Sequence, residues 1–332
     1  MKAFVSCFIF AIFAFGAPSW YHAPFEVKPN HYVGFGEGES EAEAKQNALN
    51  DIASQMNTKI DSEVIQNKKQ TDGSFSKNIE FKSVQKIKAT LSDYDVQKFE
   101  KQNGRYFFKI EYENISNIDR LIKKLSIVLD ANATSVKDKK SNFLQRSSIA
   151  KKINEHFAKD IALQIQRQNN AWNLKSNGIT QIINDDEFSK FFVTIADENL
   201  SIATSKKDNV LYDGDEFWYK INSKNSGFAS VVSVYEDGTV CTLIKNHKIK
   251  SGVNILPDDK HGSIPTAGLL VAESETFEMV FVILSDKKLM FDNFADSSVE
   301  TNNQEKYKNF GEFVEFLNDK KFATAKVITK PR

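Results

Sequence analysis

Between Pro18 and Ile60 the chain carries a short β-type run, His31 to Phe35, that breaks on Gly36 and Gly38 and passes directly into a capped helix. Ser40 is placed to accept from the amide of Glu43 while Glu43 reaches back to the amide of Ser40, a reciprocal capping box. Beyond it Ala44, Ala48, Leu49, Ile52, Ala53, Met56 and Ile60 recur at spacings of three and four, so one helix face is apolar and the other polar. A face of that kind needs a sheet to cover, and this requirement constrains the rest of the N-terminal part.

The next residues supply strands. Ile60, Ser62 and Val64 alternate with Asp61 and Glu63, and Thr71-Asp72-Gly73-Ser74 predicts a hairpin turn into a return strand through Ile79, Phe81 and Val84, continuing toward Leu91. Asn103-Gly104 separates two alternating runs, Tyr94 to Phe99 and Tyr106 to Tyr112, the strongest short-range hairpin signal in the chain. Ile115, Ile118, Leu121, Ile122, Leu125 and Leu129 then return to helical spacing and close the unit.

Asp130 to Ser141 is polar and reads as a linker, and Asn142 to Trp172 keeps an approximate helical rhythm uninterrupted by Gly or Pro. Phe188 to Ile195 and Leu200 to Ala203 read as strands. Further strands are expected around Phe217 to Ile221, Phe228 to Tyr235, Thr239 to Ile244, Gly252 to Leu256, Gly268 to Val271 and Phe277 to Leu284. Short strands separated by turn residues suggest a β-sandwich. A helix through Phe310 to Leu317 and a strand Ala323 to Ile328 end the chain. The expectation is an α+β protein: a helix-on-antiparallel-sheet domain over 17–129, a linker and long connecting helix over 130–178, and a mostly-β, sandwich-like domain over 179–330.

A length of 332 residues with 41% hydrophobic content is enough for two cores. Lys plus Arg and Asp plus Glu balance at 44 each, so no global field draws the chain to nucleic acid. Residues 1–16 read as a secretory signal: Lys2 gives the positive end, Ala3 to Phe15 an apolar run shorter than the roughly 20 residues of a membrane span, and cleavage is expected after Gly16. Cys7 lies inside that apolar run, with most of it still to come, which is not where a lipid-acceptor Cys stands. Cys241 is then alone in the mature chain and reads as a small buried side chain, with no internal disulfide partner.

Catalytic and cofactor motifs do not emerge. Gly34-Phe35-Gly36-Glu37-Gly38 follows a strand and opens a helix, as a dinucleotide fingerprint does, but its third glycine comes one position early. Glu37, Glu39, Glu41 and Glu43 also stand where a pyrophosphate would bind. His22, His31, His156, His247 and His261 are dispersed, and the acidic clusters Asp185-Asp186-Glu187 and Asp213, Asp215, Glu216 lack the ligand ladder of a calcium loop. No catalytic residue, cofactor or metal is therefore assigned, and the chain reads as a non-enzyme. The sharp chemical signal is for modification: Asn132, in Asp130-Ala131-Asn132-Ala133-Thr134, and Asn199, in Asp197-Glu198-Asn199-Leu200-Ser201, are Asn-x-Thr/Ser sequons with an acid two residues before the Asn. Both resemble the extended acceptor of the bacterial oligosaccharyltransferase system, whereas Asn114 has Tyr112 at the acidic position.

Pro18-Ser19-Trp20, Tyr32-Val33-Gly34-Phe35-Gly36-Glu37-Gly38 and the Ala-rich helix Ala42 to Ile60 resemble the outer-membrane lipoprotein family of epsilon-class proteobacteria that includes the flagellar disk protein FlgP. The resemblance covers roughly Pro18 to Leu129. It implies an exported envelope protein, periplasmic and peripherally associated with the outer membrane, with flagellar or other envelope proteins as partners, a FlgP-like lipoprotein and further copies of itself among the options. The absence of a lipid-acceptor Cys after the apolar run departs from the family pattern. A second set, Gly227-Phe228-Ala229-Ser230-Val231-Val232, Glu236-Asp237-Gly238-Thr239-Val240, Leu243-Ile244-Lys245-Asn246 and Ile264-Pro265, resembles an uncharacterised β-rich domain at the C-terminus of many bacterial envelope proteins, with Lys245 where the pattern has Pro. The expected function is a flagellar motor accessory that presents sheet edges and aromatic surfaces to partners. The alternative is a periplasmic glycan- or ligand-binding module using Trp20, Tyr21, Trp172 or Trp218 as stacking platforms.

Overall fold

A computed structural model describes residues 16–21, 23–24, 26, 28–67, 91, 93–131, 143–168, 171–193, 196–258, 264–296 and 307–332, with the side chains of 57–67 and 130–131 outside the description. The fold is mixed α+β, and it divides into two compact units, Met1–Ile115 and Ser116–Arg332. The signal segment, the hairpin turn at 71–74 with its return strand, and the Asn132 sequon fall outside the described residues.

The first unit pairs β1 (His31–Gly38), β3 (Arg105–Glu113) and β2 (Asp95–Gln102) in the order β1-β3-β2, antiparallel throughout. Asn103 and Gly104 make the β2–β3 turn with φ of 51° and 81°, the left-handed pair that a two-residue hairpin demands. Helix α1 (Glu41–Asn67) lies on one face, burying Ala44, Ala48, Ile52 and Ala53 against Phe108, Ile110 and Tyr112. On the other face Tyr21 meets Phe35 and Phe107 edge to face. The cap is reciprocal but offset: the Glu43 amide donates to Ser40 Oγ, while the Glu43 carboxylate accepts from the amide of Glu39 rather than of Ser40. The helix also runs on to Asn67, so the strand expected from Ile60 to Val64 is helical.

The second unit is built on a six-stranded sheet. Its order is β14 (Ala295–Asp296), β11 (Val240–Ile249), β10 (Gly227–Tyr235), β13 (Thr276–Ser285), β15 (Lys321–Lys330) and β8 (Val210–Tyr212). One face carries Val232, Val234, Val240, Phe277, Met279, Phe281, Ile283 and Phe322. Covering them are α2 (Asn117–Ala131), α3 (Ser148–Phe157), α4 (Asp185–Val193), α5 (Phe310–Phe316) and the antiparallel sheet β4 (Gln164–Gln168), β5 (Ala171–Ser176), β6 (Ile179–Ile183). The opposite face, with Ala229, Val231, Val280, Val282, Ala323, Ala325 and Val327, packs on the sheet β12 (Gly252–Leu256), β9 (Tyr219–Ser223), β7 (Leu200–Thr204). That pair of sheets is the expected sandwich.

Four expectations are corrected. The long connecting helix is absent: a single 3-10 turn, Phe143–Arg146, precedes α3, which is capped by Ser147, whose hydroxyl accepts from the amide of Ala150. It stops at Ala158 in the left-handed region, and β4 and β5 take up the remaining residues. Phe188 to Ile195 is not a strand; Phe188, Phe191 and Phe192 share the buried face of α4. Asn184 and Glu187 form the reciprocal cap that starts this helix, each side chain accepting from the other's amide. Gly268 to Val271 is irregular chain. Finally, α2, read as the closing helix of the first unit, buries Ile118, Leu121, Ile122 and Leu125 in the core of the second.

Candidate functional site

Gly34, Gly36 and Gly38 occupy alternate positions on the face of β1 that meets α1. A Cβ at Gly34 would lie 2.1 Å from the Ala48 carbonyl oxygen, one at Gly36 2.0 Å from the Ala44 carbonyl oxygen, and one at Gly38 2.6 Å from the Ala44 amide. Helix backbone therefore fills the space that a bound phosphate would need. The glycines serve close approach of helix to strand, with Ala44 and Ala48 as the matching small residues.

The same helix closes the outer edge of β1. Asn47 Nδ2 donates to Glu37 O at 2.9 Å, the Phe35 amide donates to Asp51 Oδ2 at 3.0 Å, and Gln55 Nε2 donates to Val33 O at 2.9 Å. Asn47, Asp51 and Gln55 are four residues apart, so one polar stripe of α1 satisfies the backbone groups that β3 leaves unpaired. The expectation that this unit presents its sheet edges to partners is thus corrected at β1: that edge is occupied from within.

The polar groups that converge lie in the second unit. Along the sandwich face of the six-stranded sheet the apolar residues give way at one end to Ser233, Tyr235, Cys241, Thr276, Glu278 and Thr329. The register brings them together, Tyr235 standing opposite Glu278, Ser233 opposite Cys241 and Thr276 opposite Thr329. There the two sheets part around a cavity of about 1170 Å³, somewhat above the roughly 300–1,000 Å³ usual for small-molecule pockets. Phe217, Tyr219, Phe228, Tyr235 and Tyr307 supply aromatic lining.

Glu278 and Tyr235 are enclosed by protein yet keep part of their surface accessible, as side chains facing an internal space do. The Ser233 hydroxyl donates to Glu278 Oε2, and no Lys, Arg or His among the described residues pairs with this carboxyl. Burial raises its pKa, the Ser233 hydrogen bond opposing. Burial, and then the charge of Glu278, hold the Tyr219 and Tyr235 hydroxyls well above their usual range. Tyr219, 1% exposed, comes from β9 on the facing sheet, and its hydroxyl makes no hydrogen bond with the described residues. Burial pushes the Cys241 thiol up to about 12, with Asp296 and Glu278 adding to the effect, so it stays protonated and unreactive. At the mouth Lys245 pairs with Asp296 at 2.6 Å and His247 Nε2 lies 3.8 Å from Asp258.

The second set of sequence motifs maps onto this place. Phe228, Thr239, Leu243, Ile244, Lys245, Asn246, Ile264 and Pro265 all line the cavity. Asn246 sits at φ 50°, and its side-chain amide makes two 2.8 Å hydrogen bonds, one each way, with the backbone of Leu289, fixing one wall. Among the proposed stacking platforms, Tyr21 and Trp172 are buried in the cores, Trp20 donates from Nε1 to Glu100, and Trp218 is 44% exposed but does not line the cavity. The acidic runs are structural: Glu187 caps α4, and Asp215 accepts from the Tyr212 amide and from Arg332. Asn199 lies in the turn before β7, its amide donating to Asp197 Oδ1 at 2.8 Å. No cluster of metal-ligating side chains occurs among the described residues.

Residues 18–112 match the model of the LPP20 lipoprotein family. The match supports an exported, cell-envelope location, and no helix among the described residues is long and apolar enough to cross a membrane. No curated protein matches the chain. Among solved structures, the secreted protein HP1454 from the human pathogen Helicobacter pylori is 18% identical, the match covering 40% of this chain and 49% of that one with a TM-score of 0.21. The match thus spans about half the length of that protein.

Proposed function

We propose that the protein is an exported, non-enzymatic component of the cell envelope that acts as an accessory or assembly factor of the flagellar motor disk, as companion to a FlgP-like lipoprotein in the manner of the motility protein FlgQ. It works in the periplasm, peripherally associated with the outer membrane, with no cofactor, and it carries glycans at Asn132 and Asn199. One observation carries the reading: the stretch that matches a lipoprotein family folds as a helix clasped onto a sheet, with backbone where a ligand would sit. A module filled in this way offers surfaces to proteins and no pocket for a reaction. The test is a deletion strain imaged in situ; motors lacking their disks and a loss of swimming are expected, and intact disks with normal swimming would remove the proposal.

A second reading belongs to the other unit. The cavity between the sandwich sheets, with a polar floor and a Tyr219 hydroxyl that no described residue uses, favours a ligand-binding role for residues 199–329. Aromatic rings beside groups able to donate and accept are what a small organic ligand requires. Crystals of the protein grown with a fragment mixture would show density in the cavity if this role holds.

A further inference from the structure

The floor of the cavity also selects a chemical class of ligand, a selection that rests on the ligand-binding role proposed for the second unit. A carboxyl group buried without a cation costs several kcal/mol unless it takes a proton or meets a positive charge. Glu278 has the Ser233 hydroxyl on Oε2 and nothing on Oε1 among the described residues. Its other polar neighbours, Tyr219, Tyr235 and Cys241, are acids weaker than itself that keep their protons, so among the described residues the groups beside it are acids. The basic side chains lining the cavity are Lys245, Lys248, Lys288 and His247; the three lysines are exposed, Lys245 is engaged by Asp296, and His247 faces Asp258. The aromatic lining acts in the same direction, because the negative face of a ring attracts a cation most strongly where water is excluded.

We infer that the cavity takes an organic cation, an amine or quaternary ammonium compound with an apolar body, whose charge rests against Glu278 between Tyr219 and Tyr235 while the body lies along Phe217. Glu278 supplies the counter-charge. The Tyr219 hydroxyl supplies a hydrogen-bond partner that no described residue uses.

Three indoles that differ in charge test this: tryptamine, positive; tryptophol, neutral; and indole-3-acetate, negative. Titration calorimetry on the purified protein at neutral pH is expected to show tryptamine binding roughly tenfold or more tightly than tryptophol, with indole-3-acetate weakest. Glu278→Gln should remove the preference for tryptamine over tryptophol. Tyr219→Phe, which preserves the packing, should weaken all three by a smaller factor and keep their order. Equal binding of tryptamine and tryptophol, or a preference for indole-3-acetate, overturns the cation inference and leaves a ligand-binding role standing. Binding of none of the three overturns both. The charge series on the unaltered protein decides the matter even where a variant fails to fold.

Discussion

Gly36 shows how far a single hydrogen in place of a methyl group can matter. Its absent Cβ is 2.0 Å from the Ala44 carbonyl oxygen and 2.3 Å from the Ala48 amide, both helix backbone, which cannot yield as a side-chain tip would. Gly36→Ala is expected to destabilise the first unit by about 3 kcal/mol, the upper end of ordinary overpacking, whereas Gly268→Ala, with nothing within 4 Å of the added carbon, should be close to neutral; urea unfolding followed by circular dichroism compares them. Glu278 gives a prediction of a different kind. Its folded-state pKa is raised above the ordinary 4.5, so the native state retains a proton that the unfolded chain releases. The stability tied to that proton is complete below the unfolded value and is lost as pH rises through the folded one. Tyr219, Tyr235 and Cys241, all raised, do not titrate in that window. Replacing the carboxyl by an amide removes the loss, so the melting temperature of Glu278→Gln relative to the parent should climb as pH rises above the unfolded value and through the raised folded one. A constant offset across that range would mean that the carboxyl is ionised in place.

At the level of the element, the polar stripe of α1 is the device that keeps β1 from recruiting another strand. Alanine at Asn47, Asp51 and Gln55 together removes three hydrogen bonds to the strand edge, each worth about 1 kcal/mol, and exposes an open ladder. The expected result is a less stable protein that self-associates through the first unit, seen as a concentration-dependent sedimentation coefficient absent from the parent. Sequence patterning makes part of this legible. Asn103-Gly104 and Glu236-Asp237-Gly238 announce their hairpins because only a few residue types tolerate the turn, and α1 announces its start through Ser40 and Glu43. The segment 142–172 misleads because the apolar residues Ile161, Leu163 and Ile165 alternate, yet they fall near enough to the helical rhythm of Ile149, Ile153 and Phe157 to read as its continuation. What ends that helix is Ala158 in a conformation its composition does not advertise. Phe188, Phe191 and Phe192 stand at helical spacing, but the short apolar run Phe191-Phe192-Val193 also fits a buried strand, and tertiary burial decides for the helix. The cavity floor is illegible for another reason: Tyr219, Tyr235, Cys241 and Glu278 lie on four strands and meet only through the register of two sheets. Of the four, Cys241 alone stands out in the sequence, and as a packing residue.

Taken whole, the molecule separates two kinds of surface along its length. In the first unit the places where a ligand or a strand would enter at β1 are filled by α1; in the second, two sheets that pack tightly over most of their shared face part around acidic and aromatic side chains. The separation predicts that the two proposed roles can be broken independently. In a deletion strain, a copy carrying the Asn47, Asp51 and Gln55 alanines should accumulate yet fail to restore motor disks, because self-association through β1 competes with the contacts that place it. A copy carrying Glu278→Gln should restore the disks, because the floor of the cavity lies inside the sandwich and takes no part in a protein surface. Electron cryotomography of the motors, with immunoblots confirming equal abundance, reads out both strains. Loss of disks in the Glu278→Gln strain would tie occupancy of the cavity to assembly and make the ligand a condition of the scaffold.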